Sequence, residues 1–562
     1  MIWKQRETNR EQLQALGDAG ISEFFANLVS NRNFPDVRSK QDVAQLINSP
    51  LDLLEDPSNI ANVANIAQMF CDASGKAVAV YGDYDVDGIV SSYMCKRLLL
   101  SLGAESVDVY IPNRMEDGYG LNPTSVKRFC TAIKKNYALI VVLDCGSSSR
   151  DQIHIIRQKL PQTKVVVIDH HIVDEDNFSS NADYVVNPRM GKHTPYCTGG
   201  LMYQMVRQCS TIQAFEHHLY LPYSAMTTIA DVCDLVDSNR IIVMHGIKYL
   251  ETSEDIGLQE LFKAGDVKMD DCEAEDIAFR IAPMINASGR IEVAAPAFKL
   301  LMSQDRDEAK GFAKKLQTLN ETRKKIQKKM EHEAEALGQL KHADHGLLLY
   351  SDDWNTGVVG IVASRMVEKF GVPAICFGEA KGEIKGSARS IGEINIKAVM
   401  DSVSDLFERY GGHEMAAGAT LKREVLNEAA QIFDEAVGRY KEENGIGEPV
   451  FHYDLLLTMD VIRRINNDFC ERLSKLGPFG HGNERPIFRI NGIECKQVRQ
   501  WSKNNGGFVD FDEFGLTCIA YGENLKAKME DRALDLLISI TRSFLDGERW
   551  AYRVEAFTES DS

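Results

Sequence analysis

The sequence predicts a multidomain α/β protein. It would comprise a helix-wound parallel sheet, a long connecting helix, a second α/β section and a small β-barrel or sandwich. Three observations carry this expectation. Short β-branched runs alternate with amphipathic stretches from residue 76 to residue 187. Residues 305–340 hold one proline-free helical pattern. Short alternating segments recur from about 450 to 560. The 562 residues suffice for about three to four domains at roughly 150 residues each.

Residues 1–75 read as a helical segment, because QLQALGDAGISEFFANLV and DVAQLINSPLDLL space their apolar residues as helices do. Residues 76–300 form the first α/β domain. Its strands are KAVAVY (76–81), VDVYI (107–111), YALIVVLD (137–144), KVVVID (164–169) and YVVN (184–187). Several are continuous apolar runs, which suits strands buried on both faces of a parallel sheet. Helical stretches between them complete βαβ units, and a helical block runs to about 300. Residues 301–340 form the connecting helix. Within 314–329 there are seven basic residues and one acid, either a solvated face or a stripe for a nucleic-acid backbone. Residues 341–445 form the second α/β section, opening with GLLLY (346–350). Residues 446–562 hold PIFRINGIECKQV, DEFGLTCIAYG, LDLLISITRSF and WAYRVEAF, which read as a barrel or sandwich.

Composition excludes several classes. Apolar residues are 44% and charged residues 26%, which argues for a globular chain rather than a disordered one. The 82 acidic and 64 basic side chains give a net charge of −18, so a protein that coats nucleic acid non-specifically is disfavoured. A carboxylate cluster built for cations remains compatible with that sum. The twelve cysteines are scattered and form no CxxC, which points to a reduced, cytoplasmic protein. No apolar run reaches the ~20 residues of a membrane helix, and MIWKQRETNREQLQAL lacks the apolar core of a secretory signal. GxSxG and GxxxxGK[ST] are both missing, which disfavours a serine hydrolase and a P-loop enzyme.

The chemistry gathers at strand ends. Asp83, Asp85 and Asp87 crowd the segment GDYDVDG after the first strand. Asp144 follows the third strand, and Asp169-His170-His171 follow the fourth. Open α/β sheets place ligands at this edge. Like charges this close are costly unless cations neutralise them. Carboxylate with imidazole suits Mn²⁺ or Mg²⁺ better than zinc. Asp231 lies further on, in IADVCD. The reading is a two-metal hydrolytic site, whose paired ions ~3.5–4 Å apart would clamp a phosphoryl group and activate water.

These residues resemble the ordered motifs of the DHH phosphoesterase superfamily: GDYDVDG (82–88), Asp144-Cys145-Gly146, Asp169-His170-His171 and Ala230-Asp231-Val232. IPNRMEDGYGLN (111–122), APMINASGR (282–290), GVVGIVASRM (357–366), KGSARS (385–390), YGGHEMAAG (410–418) and LGPFGHGNERPIF (476–488) narrow the resemblance to its RecJ family. The match covers roughly 75–560. It implies a DHH domain, a DHH-associated domain and a C-terminal OB-fold. It also implies a metal-dependent, single-strand-specific 5′→3′ DNA exonuclease that releases mononucleotides in repair and recombination.

By the same resemblance Asp85, Asp87, Asp144, His170 and Asp231 would ligate two Mn²⁺ ions, with Mg²⁺ as the other candidate and Asp83 close by. His171 would contact the scissile phosphate. Arg114, Asn286, Arg290, Ser387 and Arg389 would hold substrate, and Gly411, Gly412 and His413 would let the backbone approach it. Phe488, Trp501, Phe508 and Tyr521 are stacking candidates on the barrel. The implied partners are single-stranded DNA and a single-strand-binding protein or helicase, on a monomer without membrane association.

Three positions depart from the pattern. Tyr81 stands where many relatives carry His, Cys233-Asp234 where Val-Pro is common, and Ser288 where Ala is usual. Two rival readings compete with the main one. A DHH phosphodiesterase for short oligonucleotides or cyclic dinucleotides would typically lack the C-terminal barrel. A non-catalytic replication-assembly protein on this fold would have lost metal carboxylates.

Overall fold

The computed structural model describes residues 2–32, 34, 36–113, 117–118, 120–291, 295–341, 343–448, 450–501, 506–511, 516–522, 524–542 and 550–560. Its first sheet is five-stranded and wholly parallel, in the order Ser106–Tyr110, Ala77–Tyr81, Leu139–Leu143, Lys164–Ile168, Tyr184–Val186. Successive side chains of a strand point to opposite faces. Val78 and Val80 therefore enter one core, and Ala79 and Tyr81 enter another. This is why the runs are continuously apolar. The second and third strands in sequence flank the first on opposite sides, so the winding reverses beside Ala77–Tyr81. A crevice opens there at the carboxyl ends of Ala77–Tyr81 and Leu139–Leu143.

The connecting helix spans Arg306–Lys341. Its first half sends Ala309, Ala313 and Leu316 into the core of the first lobe. Its second half sends Met330 and Ala334 into the core of the second. The intervening lysines Lys314, Lys315, Lys324, Lys325, Lys328 and Lys329 are all exposed. One element therefore fixes both lobes, and its basic face points outward.

The second lobe has a mixed sheet in the order Phe407–Gly412, Ala416–Leu421, Glu383–Arg389, Ala374–Ala380, Leu347–Tyr350. The last pair is parallel and the others antiparallel. The C-terminal section resolves the barrel-or-sandwich alternative in favour of a barrel. Ile487–Trp501 pairs with Gly506–Phe511, then Leu516–Tyr521, Trp550–Glu559 and Ala533–Arg542 follow, and Ala533–Arg542 pairs back onto Ile487–Trp501. Closure of five strands in this order is the OB-fold, and it removes exposed edges.

Residues 1–75 divide between two cores. Helices Arg10–Asp18 and Glu23–Ser30 place Leu16, Ala26, Leu28 and Val29 among the barrel's apolar residues. Helix Val63–Asp72 packs into the first lobe through Val63, Ile66, Ala67 and Phe70. The purely helical expectation also missed a strand, Ile2–Gln5, parallel to Val450–Tyr453. Among the described residues no helix is long and apolar enough to cross a membrane, and no cysteine is in a disulfide.

Candidate active site

Each acidic residue is placed by the end of an element. Asp85 is the N-cap of helix Val86–Ser101 and accepts the Gly88 N–H at 3.0 Å. A Cβ on Gly88 would lie 2.5–2.6 Å from the Asp83 backbone, so only glycine lets the aspartate turn fold this tightly. Asp87, in the first turn, accepts the Thr198 and Gly199 N–H groups at 2.7 and 2.8 Å. It thereby satisfies two of the free donors at the start of helix Thr198–Ile212. Asp144 has φ 61° and accepts the Thr198 hydroxyl at 3.1 Å. Val232, next to Asp231, has φ 55°, which is strained for a β-branched residue. Strain of this kind gathers at functional sites, and here two cases bracket the cluster.

His170 joins these groups. Its Nε2 lies 3.3 Å from Asp144 Oδ1 and 3.8 Å from Asp87 Oδ2, and its Nδ1 lies 3.6 Å from Asp231 Oδ2. Burial and the charge of His171 push its pKa down to about 4, so these are contacts of a neutral imidazole. Burial, then repulsion from Asp85, lifts Asp87 to about 6. Burial, then Asp87 and Asp85, lifts Asp231 to about 8 and holds Asp144 well above the usual carboxylate range.

The donor set fits divalent cations. Asp87, His170 and Asp231 offer ligand atoms within 4.8 Å of one another, as do Asp83, Asp85 and Asp144. His170 Nε2 is buried, makes no hydrogen bond and faces carboxylates. A third group, Asp144, His170 and His171, shares residues with both, and these overlapping groups, rich in carboxylate and free of thiolate, suit hard cations such as Mn²⁺ and Mg²⁺.

His171 differs from its neighbour. Burial opposes its charge, but its hydrogen bond to Asp169, 2.8 Å, and the charge of Asp169 raise it to about 9. Asp169 also accepts the N–H groups of Ser147, His170 and His171. Burial opposes its charge, but the His171 ring's hydrogen bond and charge, then the charge of His170 and the Ser147 N–H, hold it below the usual carboxylate range. The pair therefore combines a neutral imidazole among carboxylates with a cationic one, both residues hydrogen-bonded to one carboxylate.

A cleft of about 980 Å³ opens beside this cluster, between the strand ends that carry Tyr84, Cys145 and Asp169 and the second lobe. His171 and Asp169 line one wall, and Lys385, Ser387, Arg389, Gly411, Gly412 and His413 line the other. Gly412 has φ 149°, and a Cβ there would lie 2.4 Å from Ala417 Cα. Ser387 and Arg389 pack against Gly360, where a Cβ would come within 3.3 and 3.0 Å of them. Arg290 Nη1 donates to Gly357 O at 3.0 Å and ties the lobes together. Asn286 faces inward instead, accepting the Val86 N–H at 3.1 Å and bracing the aspartate turn. Arg114 lies outside the described residues, as does the side chain of Trp501.

The remaining expectations divide. None of the described cleft-lining residues comes from 314–329, so the basic helix is not part of this cleft. Phe488 is fully buried in the barrel core and presents no stacking face. Phe508 lies beneath Arg499, and Tyr521, 55% exposed, lies beneath Arg553. Asp234, at the departure from Val-Pro, accepts from His481 Nδ1 at 2.7 Å and joins the Asp231 loop to the barrel entry. Sequence reasoning missed Thr198 and Gly199, whose only sign is a small-residue start to an apolar helix.

The fold and site define a DHH-type protein. Residues 77–232 match the DHH family, N-terminal domain; 344–439 match the DHHA1 domain; 454–550 match the RecJ OB domain. A Bacillus subtilis (strain 168) protein named single-stranded-DNA-specific exonuclease RecJ is 31% identical over 521 residues, covering 90% of this chain and 63% of that protein. The chain thus spans just under two thirds of that relative's length. The protein of the same name from Haemophilus influenzae is 30% identical over 436 residues, covering 73% of this chain and 74% of its own. A crystal structure of RecJ in complex with Mn²⁺ from Thermus thermophilus aligns over the whole chain and 80% of its own, with TM-score 0.80 and 23% identity. The chain belongs to the RecJ family.

Proposed function

We propose that the chain is a divalent-metal-dependent exonuclease that degrades single-stranded DNA from its 5′ end to mononucleotides. The observation that carries this reading is a buried cluster of carboxylates with His170, next to a cleft that has Asp169 and His171 on one wall and a cationic, glycine-lined opposite wall. Membership of a family whose named members are single-stranded-DNA-specific exonucleases supports it. Asp85, Asp87, Asp144, His170 and Asp231 would hold two Mn²⁺ ions, with Mg²⁺ the alternative and Asp83 adjacent. Bound there, the ions supply Lewis-acid charge and lower the pKa of a water.

The chain's own groups do the rest. His171, charged through Asp169, donates to the scissile phosphate and stabilises its developing charge. Arg114, Arg290, Ser387 and Arg389 hold phosphates, the 5′-terminal one included, because guanidinium forks match phosphate oxygens. Asn286 acts through the aspartate turn it braces. Gly411, Gly412 and His413 bring backbone close to the nucleotide. The cleft takes one strand, and the barrel feeds it. The working units are the DHH domain at 76–300, the connecting helix at 301–340, the DHH-associated domain at 341–445 and the OB domain at 446–562, with 1–75 as support. The protein works as a cytoplasmic monomer in repair and recombination, alongside a single-strand-binding protein or helicase.

A DNA strand labelled at one end tests this. With Mn²⁺, a 5′ label should leave as mononucleotide before a 3′ label, and duplex should resist. Release from the 3′ end alone refutes the polarity, and equal loss of duplex refutes the strand selectivity.

A further inference from the structure

The segment Asn187-Pro188-Arg189 does not line the cleft, yet it meets the two histidines directly. Edge strand Tyr184–Val186 pairs with Lys164–Ile168, and Asp169 N–H donates to Val186 O at 3.0 Å. The next residues of the edge strand therefore run beside His170 and His171. Asn187 is buried, and its amide donates to His171 O at 2.8 Å and to Ser147 Oγ at 3.0 Å. Its own oxygen accepts the Arg189 N–H at 3.0 Å and caps the turn Pro188–Met190. Pro188 presets the backbone of that turn. Arg189 Nε then donates to His170 O at 2.8 Å.

We infer that Asn187 and Arg189 are positioning residues that set the two histidines for the reaction proposed above, on which this inference rests. Asp169 holds the N–H side of the dipeptide, and Asn187 with Arg189 holds its carbonyl side. The peptide planes flanking the histidines are thereby fixed from opposite directions. Their rings lie together, centroids 4.5 Å apart, with His170 against Asp87, Asp144 and Asp231 and His171 reaching from this cluster to the cleft wall. A loop held on one side only would let His170 swing away from the carboxylates, and small misplacements of reacting groups cost large factors in rate. Arg189 is exposed, so its loss leaves no cavity.

Arg189→Ala and Arg189→Lys test this, with Asn187→Ala as a third variant. Two readouts are needed: Mn²⁺ binding to metal-depleted protein, followed through the electron-resonance signal of free Mn²⁺, and steady-state digestion of a labelled strand. Removing a group that orients a metal ligand typically costs ~10–100-fold in metal affinity or activity. Arg189→Ala should weaken Mn²⁺ binding and lower kcat by about that range while KM for the strand stays within about threefold. Arg189→Lys, which keeps one donor for His170 O, should recover most of both. Unchanged Mn²⁺ affinity and kcat in Arg189→Ala overturns the inference. So does a loss confined to KM, which would make Arg189 a strand contact. If wild-type protein leaves DNA intact, the proposed function fails, and Mn²⁺ binding still decides the positioning role.

Discussion

At the scale of the residue, one carboxylate organises two unlike histidines, and charge decides what each can do. His170 is neutral and lies among carboxylates, whereas His171 is cationic and faces the cleft. The same electrostatics fixes the behaviour of metal-free protein. Asp87 at about 6 and Asp231 at about 8 keep protons that an unfolded carboxylate, near 3.8, has already lost. Stability must therefore fall as pH rises through that window. His171 adds to the fall above 6.5, and His170 opposes it only below 6.5. With a chelator, the melting temperature should drop from pH 6.5 to 8, and the gain on adding Mn²⁺ should grow with pH. A flat profile with a constant gain would contradict this. Across the cleft, Arg389→Ala should weaken binding of 5′-phosphorylated strands by about tenfold or more, the worth of a charge-assisted hydrogen bond. Hydroxyl ends should be affected less, and equal losses in a competition binding assay would remove Arg389 from end recognition. The acidic cluster was legible because hydrophobic runs reveal strand ends, and the acids stand there. Thr198, Asn187 and Arg189 were not, because their partners come from segments whose contact the local pattern does not encode.

At the scale of the element, the connecting helix shows what periodicity reveals and what it leaves open. Its length and lack of proline made Arg306–Lys341 readable. Its basic run was legible as a stripe, but not the direction in which that stripe points. Leu316, Met330 and Ala334 face the lobes, which turns the lysines to solvent and away from the cleft. Replacing Lys324, Lys325 and Lys328 together by alanine should change turnover of a short strand by no more than about twofold, as for exposed sites remote from function. A tenfold loss on that substrate would place the helix in the reaction path.

At the scale of the whole molecule, the chain's two ends share a core. The parallel sheet was legible from its doubly buried strands, and the barrel from its short alternating segments. The barrel's packing with residues 2–30 was not, because Leu16 and Val29 look alike whichever core receives them. Removing residues 1–30 should strip apolar cover from the barrel, at ~2 kcal/mol for each buried Leu or Val side chain. Limited proteolysis should then cut within 454–560 first and spare 77–302. Indifference of the barrel to that deletion would contradict the shared core.

In the function proposed, carboxylates from four strand and helix ends, with one neutral histidine, form a site for two divalent ions beneath the second lobe. Calorimetric titration of Mn²⁺ into metal-depleted full-length protein tests it most directly. Two ions per chain are expected in the wild type, and loss of at least one in Asp144→Ala, with the fold retained by circular dichroism. Failure of the wild type to bind Mn²⁺, or an unchanged isotherm in Asp144→Ala, would contradict it.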